Sequence, residues 1–159
     1  ERLPDSRFKV AVGGRLNWYL NETFTVRTFY RYYFDDWGIN SHTLDFKYRF
    51  AFGSSYLEPH FRYYMQSEAD FYKRYVDATD YNSGAPTFAE ASSDERLSEM
   101  TAATVGLKYG QMLANGHEFS IRGEYYMQTH DGDAGYGALA SQELYPDSDA
   151  LMLQFTYAF

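Results

Sequence analysis

Leu151-Met152-Leu153-Gln154-Phe155-Thr156-Tyr157-Ala158-Phe159 ends the chain on a strict alternation. Leu151, Leu153, Phe155, Tyr157 and Phe159 are large and apolar, and the residues between them are small, polar or adaptable. A period of two is that of a strand with two unlike faces. A closing strand with five bulky apolar side chains points to a lipid-facing strand rather than to the edge of a soluble sandwich. These five residues resemble the terminal signal read by the barrel-assembly machinery of Gram-negative outer membranes.

Composition agrees. Aromatic residues make up 20% of the chain, with 17 Tyr and 13 Phe, which suits aromatic girdles at two membrane interfaces. Mean hydropathy is -0.56 and no run of about 18 apolar residues occurs, so no transmembrane helix is expected. That average is compatible with a β-barrel, where lipid-facing and lumen-facing residues alternate and cancel. Cysteine is absent, which removes disulfides, thiolate metal sites and a cysteine nucleophile. A net charge of -8 argues against nucleic acid as a partner.

Working back from the end, the same alternation recurs in six earlier segments, near 8–20, 24–34, 42–52, 56–71, 97–109 and 118–128. Leu44, Phe46, Tyr48, Phe50 and Phe52 alternate with Thr43, Asp45, Lys47, Arg49 and Ala51. Gly13-Gly14 and Pro59 predict a kink or bulge in their strands. The connections read short after strands one, three and five, and moderate or long after two, four and six. Outer-membrane barrels alternate periplasmic turns and extracellular loops in this way. The strands also repeat as hairpins: Arg31-Tyr32-Tyr33-Phe34, Arg62-Tyr63-Tyr64-Met65 and Glu124-Tyr125-Tyr126-Met127 occupy equivalent places. The expected fold is all-β, an antiparallel transmembrane β-barrel.

With Phe159 in the periplasm, the long acidic loops lie outside the cell and the first strand descends. Single-chain barrels have even strand numbers and periplasmic termini. Seven strands therefore predict that residues 1–159 are the carboxy-terminal part of one larger barrel domain.

Arg31-Tyr32-Tyr33-Phe34-Asp35-Asp36-Trp37-Gly38 followed by Ser41-His42-Thr43-Leu44 resembles a bacterial family known as domain of unknown function 3570. Leu57-Glu58-Pro59-His60-Phe61-Arg62-Tyr63-Tyr64, then Gln66-Ser67 and Ala69-Asp70-Phe71-Tyr72, is similar to the next block of that family. The resemblance covers roughly residues 24 to 128 and fits the carboxy-terminal half of its members. It implies a bacterial outer-membrane barrel and carries over no catalytic residue.

The expected inward faces form a charged wall of Arg15, Arg27, Arg31, Asp45, Lys47, Arg49, Glu58, His60, Arg62, Lys108, Arg122 and Glu124. Nine are basic, counting His60, and three acidic, so an open lumen would favour anions. The wall could also be a cross-strand ion-pair network that fills the barrel. Acidic residues gather in the loops: Asp77, Asp80, Glu90, Asp94, Glu95, Asp131, Asp133, Glu143, Asp147 and Asp149. Such oxygen donors suit calcium, with Asp131 and Asp133 the nearest pair, although Asp131-Gly132-Asp133 is too short for an EF-hand loop.

Asp35-Asp36, His42 and His130-Asp131 near the rim are the residues from which a water-activating hydrolase site would be built, but short polar residues at strand ends are turn formers first. The reading that follows is a non-enzymatic scaffold or conduit with no cofactor. A diffusion pore for small anionic solutes is the alternative, and a rim hydrolase the more remote one. The expected partners are outer-membrane lipid and lipopolysaccharide, the barrel-assembly machinery, and an envelope protein or lipoprotein.

Overall fold

The computed structural model describes residues 2–76, 78–130, 137–139 and 146–159. Seven long strands run in the order of the chain: β1 (Lys9–Tyr19), β2 (Phe24–Asp35), β3 (Asn40–Phe52), β4 (Ser55–Gln66), β7 (Met100–Met112), β8 (Glu118–His130) and β9 (Ser148–Ala158). They form one antiparallel sheet in the order β1-β2-β3-β4-β7-β8-β9. Two short strands, β5 (Tyr81–Asn82) and β6 (Ala85–Pro86), pair with each other in the connection after β4. No α-helix occurs among the described residues. The sheet is open: β1 and β9 are its two edges. The chain exposes 10600 Å², well above the roughly 8,200 Å² of a compact monomer of its mass.

The register is continuous from edge to edge. A row perpendicular to the strands passes Trp18, Val26 and Tyr48, and continues on the far side of Pro59 through Leu107, Gly123 and Leu153. Neither expected bulge occurs. Gly13 and Gly14 stay in step with Arg31 and Tyr30. On β3 and β4, Lys47 opposes His60 and Phe50 opposes Leu57, so the ladder resumes in the same register beyond Pro59. Proline removes a donor there without inserting a residue. Gly13 instead makes room: a Cβ at this position would lie 3.3 Å from the Phe29 ring.

The strand ends drift across the sheet. In the row just traced, Trp18 is one residue from the end of β1 and Leu153 is five from the end of β9. Strands are thus inclined to the line joining their ends.

Two boundaries differ from the sequence reading. The β2–β3 connection is only the four residues Asp36-Trp37-Gly38-Ile39, so long connections follow β4 and β8 but not β2. Strand β4 stops at Gln66, and residues 67–71 peel away to build a small cap. There Ile39, Ala69, Phe71 and Leu97 are buried together, with Tyr33, Trp37 and Tyr72 packed around them.

Asp35 organises this end of the sheet. Its Oδ1 accepts from the backbone N–H groups of Trp37 and Ile39, each at 3.0 Å. Its Oδ2 accepts from Arg7 Nε at 2.8 Å and from the Tyr33 hydroxyl at 2.6 Å. The Arg7 guanidinium also lies 4.3 Å from the Trp37 ring centroid. Gly38 turns the chain at φ +85°, and a Cβ there would sit 2.2 Å from Asp70 Oδ1. Replacing Gly38 with Ala is therefore expected to cost about 1–3 kcal/mol and to open residues 67–99 to limited proteolysis. Gly14→Ala meets nothing within 4 Å and serves as the neutral control; equal protection of both variants would refute this account of the turn.

Candidate functional site: the charged face

The unbroken register sorts side chains onto two faces. On one, Val12, Leu16, Trp18, Tyr30, Phe46, Phe61, Val105, Leu107, Leu151, Leu153 and Phe155 are exposed. Reading the outward positions of all seven strands, the single ionisable carboxylate is Asp149, near the start of β9, and no Lys, Arg or Glu occurs. Aromatic rings cluster near both ends of this face. Phe24 stacks at 5.6 Å on Tyr48 and lies 5.2 Å from Phe50 at one end, while Tyr32 lies 5.0 Å from His42 at the other. Leu151, Leu153, Phe155 and Tyr157 share this apolar face on the edge strand, and Phe159 follows it at 98% exposure.

All twelve charged residues named from the sequence project from the opposite face. Arg15, Phe29, Asp45 and Arg62 form one cross-strand row, and Asn17, Arg27, Lys47 and His60 form the next. Glu58, Lys108 and Arg122 make a third, on β4, β7 and β8. Arg31 stands beside Thr43, Glu124 beside Gly106, and Arg49 over the Tyr56 ring at 3.5 Å.

His60 lies at the centre of this face. Its Nδ1 is 2.7 Å from Glu124 Oε1, and its Nε2 is 3.1 Å from Asp45 Oδ2. A ring protonated on both nitrogens donates to both carboxylates, whereas a neutral ring donates to one only. The two carboxylates thus meet different nitrogens of the one ring. Lys47 Nζ is 3.7 Å from Asp45, and Arg122 Nη1 is 3.8 Å from Glu124. Glu58 is buried and pairs with Arg27.

Two glycines make these contacts possible. Gly106 stands between His60 and Glu124 in the same row. A Cβ at Gly106 would lie 2.6 Å from Glu124 Cγ, so its absence lets Glu124 cross β7 to reach β4. Gly110 likewise stands between Tyr56 and Ser120, and a Cβ there would be 2.2 Å from the Tyr56 ring. The Tyr56 hydroxyl can then donate to Glu118 Oε1 at 2.5 Å, while Lys108 Nζ is 3.5 Å from the same oxygen.

Sequence reasoning missed Tyr56 and Glu118. Glu118 shares the parity of Arg122 and Glu124, so extending the alternation to the strand end would have found it. Glycines facing inward beside large polar residues were a further signal.

Among the described residues, those weighed for hydrolysis are engaged in separate contacts. Asp35 is committed to the turn, and Asp36 Oδ1 accepts from the Phe8 N–H at 2.8 Å. His42 lies on the apolar face, its Nδ1 2.7 Å from the Tyr30 hydroxyl. His130 contacts Ser98 and Gln128. Asp131 lies outside the described residues.

The calcium reading falls largely on residues that the structure does not describe. Asp131 and Asp133 lie outside the described residues, as do Asp77 and Glu143. Among the described residues no three metal-binding side chains converge. Asp80 pairs with Lys73 at 2.7 Å. Asp94 accepts from the Arg96 side chain, which holds its carboxyl below the ordinary carboxylate range despite partial burial.

The family model described as "protein of unknown function (DUF3570)" matches residues 1–159. The chain belongs to this family. The DUF3570 match takes in the whole chain, including the terminal strands that the resemblance over residues 24 to 128 left out. No curated protein and no solved structure matches the chain.

The paired glycines supply a test. Gly106→Ala is expected to destabilise the fold by about 1–3 kcal/mol through overpacking and to displace Glu124 from His60. Gly123→Ala, on the apolar face with only Leu153 at 3.6 Å, should stay within about 0.5 kcal/mol. Denaturant midpoints in detergent measure both, and equal losses would contradict the two-faced arrangement.

Proposed function

We propose that the chain is part of the wall of an outer-membrane β-barrel that serves as a non-enzymatic conduit in the bacterial envelope. The observation that carries this reading is the complete segregation of the sheet's faces. Large apolar side chains fill one face, with Asp149 alone as a carboxylate near its end, and nine Lys and Arg residues project from the other. Leu151, Leu153 and Phe155 are 71%, 65% and 66% exposed, and burying such side chains is worth about 1.5–3 kcal/mol each. Lipid offers that burial to a whole sheet face.

Strand geometry supports the same reading. All seven strands are 11–13 residues long, against a usual five or six in globular proteins and about 9–11 needed to cross a bilayer obliquely. Their drifting ends suit the tilt that closure requires. The aromatic groups near both ends suit interfacial girdles. Because lipid cannot satisfy backbone N–H and C=O groups, β1 and β9 would pair with further strands. In this placement the β1–β2, β3–β4 and β7–β8 turns and the carboxy-terminus are periplasmic, and residues 67–99 form an extracellular cap. The final strand would present its apolar residues to lipid and to the assembly machinery, lipopolysaccharide would border the cap, and an envelope protein or lipoprotein is the fitting partner class.

A surplus of cations favours anion conduction as a second reading. The charged face of the seven strands carries nine Lys and Arg residues and five carboxylates, Asp35, Asp45, Glu58, Glu118 and Glu124. Basic walls raise the local concentration of anions.

The membrane reading predicts that protein extracted from envelopes in detergent migrates faster on an SDS gel before boiling than after. Extraction without detergent and a single heat-independent band would count decisively against it. In a planar bilayer under a salt gradient, the conduit reading predicts a steady current whose reversal potential favours anions. A silent bilayer with correctly inserted protein would leave the scaffold role and remove the conduit.

A further inference from the structure

Among the groups on the charged face, the cations are unequally satisfied. Arg27 pairs with Glu58, and Lys47 and His60 share Asp45. Arg15 and Arg62 have no carboxylate within 4 Å among the described residues. Arg15 only leans on Phe29, its guanidinium carbon 5.7 Å from the ring centroid. Arg62 is exposed on the face.

These residues surround one cavity of about 330 Å³, lined by Arg15, Arg27, Phe29, Asp45, Lys47 and Arg62 among others. Four cations face one carboxylate. Arg27 Nε is shut off from solvent and has no acceptor, and a buried unmet donor costs roughly 1–3 kcal/mol.

Phe29 is out of place by composition. It is the one phenylalanine on the charged face of β2, directly between Arg15 and Asp45 in its row, with Arg62 next. Gly13 leaves the space its ring occupies. Arg15 and Arg62 stand three strand spacings apart, about 14 Å at the backbone, with the Phe29 ring and then Asp45 between them. The cavity therefore combines a flat apolar surface with two cations that have no ion-pair partner within 4 Å, and Asp45 is its one carboxylate.

We infer that this cavity is a binding subsite for small organic carboxylates with a planar apolar body. The carboxylate takes bidentate hydrogen bonds from the guanidinium groups, and the planar body lies against Phe29. This rests on the conduit reading for its role as a step along the wall, but the binding itself does not require a current. A neighbouring cavity of about 430 Å³ shares Arg62 and adds Arg31, whose Nε is also buried without an acceptor. Arg62 is therefore placed to pass an anion from one cavity to the next.

The test uses the full-length protein in detergent, with benzoate and acetate as probes and ligand-observed NMR as the readout. Folding is checked separately by the heat-dependent gel shift, so loss of the barrel reading and loss of the subsite are distinguishable. Benzoate is expected to bind saturably and at least 5-fold more tightly than acetate. Arg15→Gln and Arg62→Gln, both of exposed side chains, should each weaken benzoate at least 5-fold. Phe29→Leu should abolish the preference over acetate. Arg122→Gln, beside Glu124 and outside this cavity, should change neither. Absence of saturable benzoate binding, or equal binding in the Arg15, Arg62 and Arg122 variants, would overturn the assignment.

Discussion

An unbroken register across seven strands is the constraint on which everything else depends. Side-chain direction alternates along a strand, so a shift of one residue at any pair would turn all later strands over. No such shift occurs between Lys9 on β1 and Ala158 on β9. Pro59 omits a donor without breaking step, and Gly13-Gly14 stays in line. Residues far apart in sequence therefore share a face without a packed core to sort them. The only compact core among the described residues is the small cap of Ile39, Ala69, Phe71 and Leu97.

The two faces obey different rules. On the apolar face neighbouring side chains meet across strands, and nothing among the described residues covers them. On the charged face, contacts extend beyond neighbours because glycines lie in the way of nothing. Glu124 reaches His60 over Gly106, and Tyr56 reaches Glu118 over Gly110. The result is a network that satisfies every carboxylate on the face and leaves Lys9, Arg15, Arg31, Arg49 and Arg62 without a carboxylate within 4 Å among the described residues. That imbalance, rather than the overall charge of -8, is what the proposed conduit would present to a solute. The negative charge resides largely in the connections.

Much of this was legible in the sequence because period-two alternation is a local signal. The strand set, the antiparallel order and the facing of all twelve charged residues followed from parity. The cap was not legible. Residues 67–71 continue an aromatic-rich pattern but leave the sheet, because Phe71 finds Ile39, Leu97 and Trp37 at the strand ends. Asp35-Asp36 reads as a turn former first, and Asp35 does hold the turn through Trp37 and Ile39, but its contact with Arg7, 28 residues away, is not a local signal. The bulges expected at Gly13-Gly14 and Pro59 came from residue type alone, which does not specify whether a residue is inserted or a donor merely lost. Tyr56 and Glu118 went unseen because their contact needs a glycine on a third strand.

The central claim is that one face of this sheet meets lipid and the other meets water. The chain has no cysteine, so single cysteines can be placed along β3 without background. A membrane-impermeant thiol reagent applied to the protein in bilayers should modify Asp45→Cys, Lys47→Cys and Arg49→Cys. It should spare Leu44→Cys, Phe46→Cys and Tyr48→Cys. Modification of both sets at similar rates, or of the even set alone, would contradict the account.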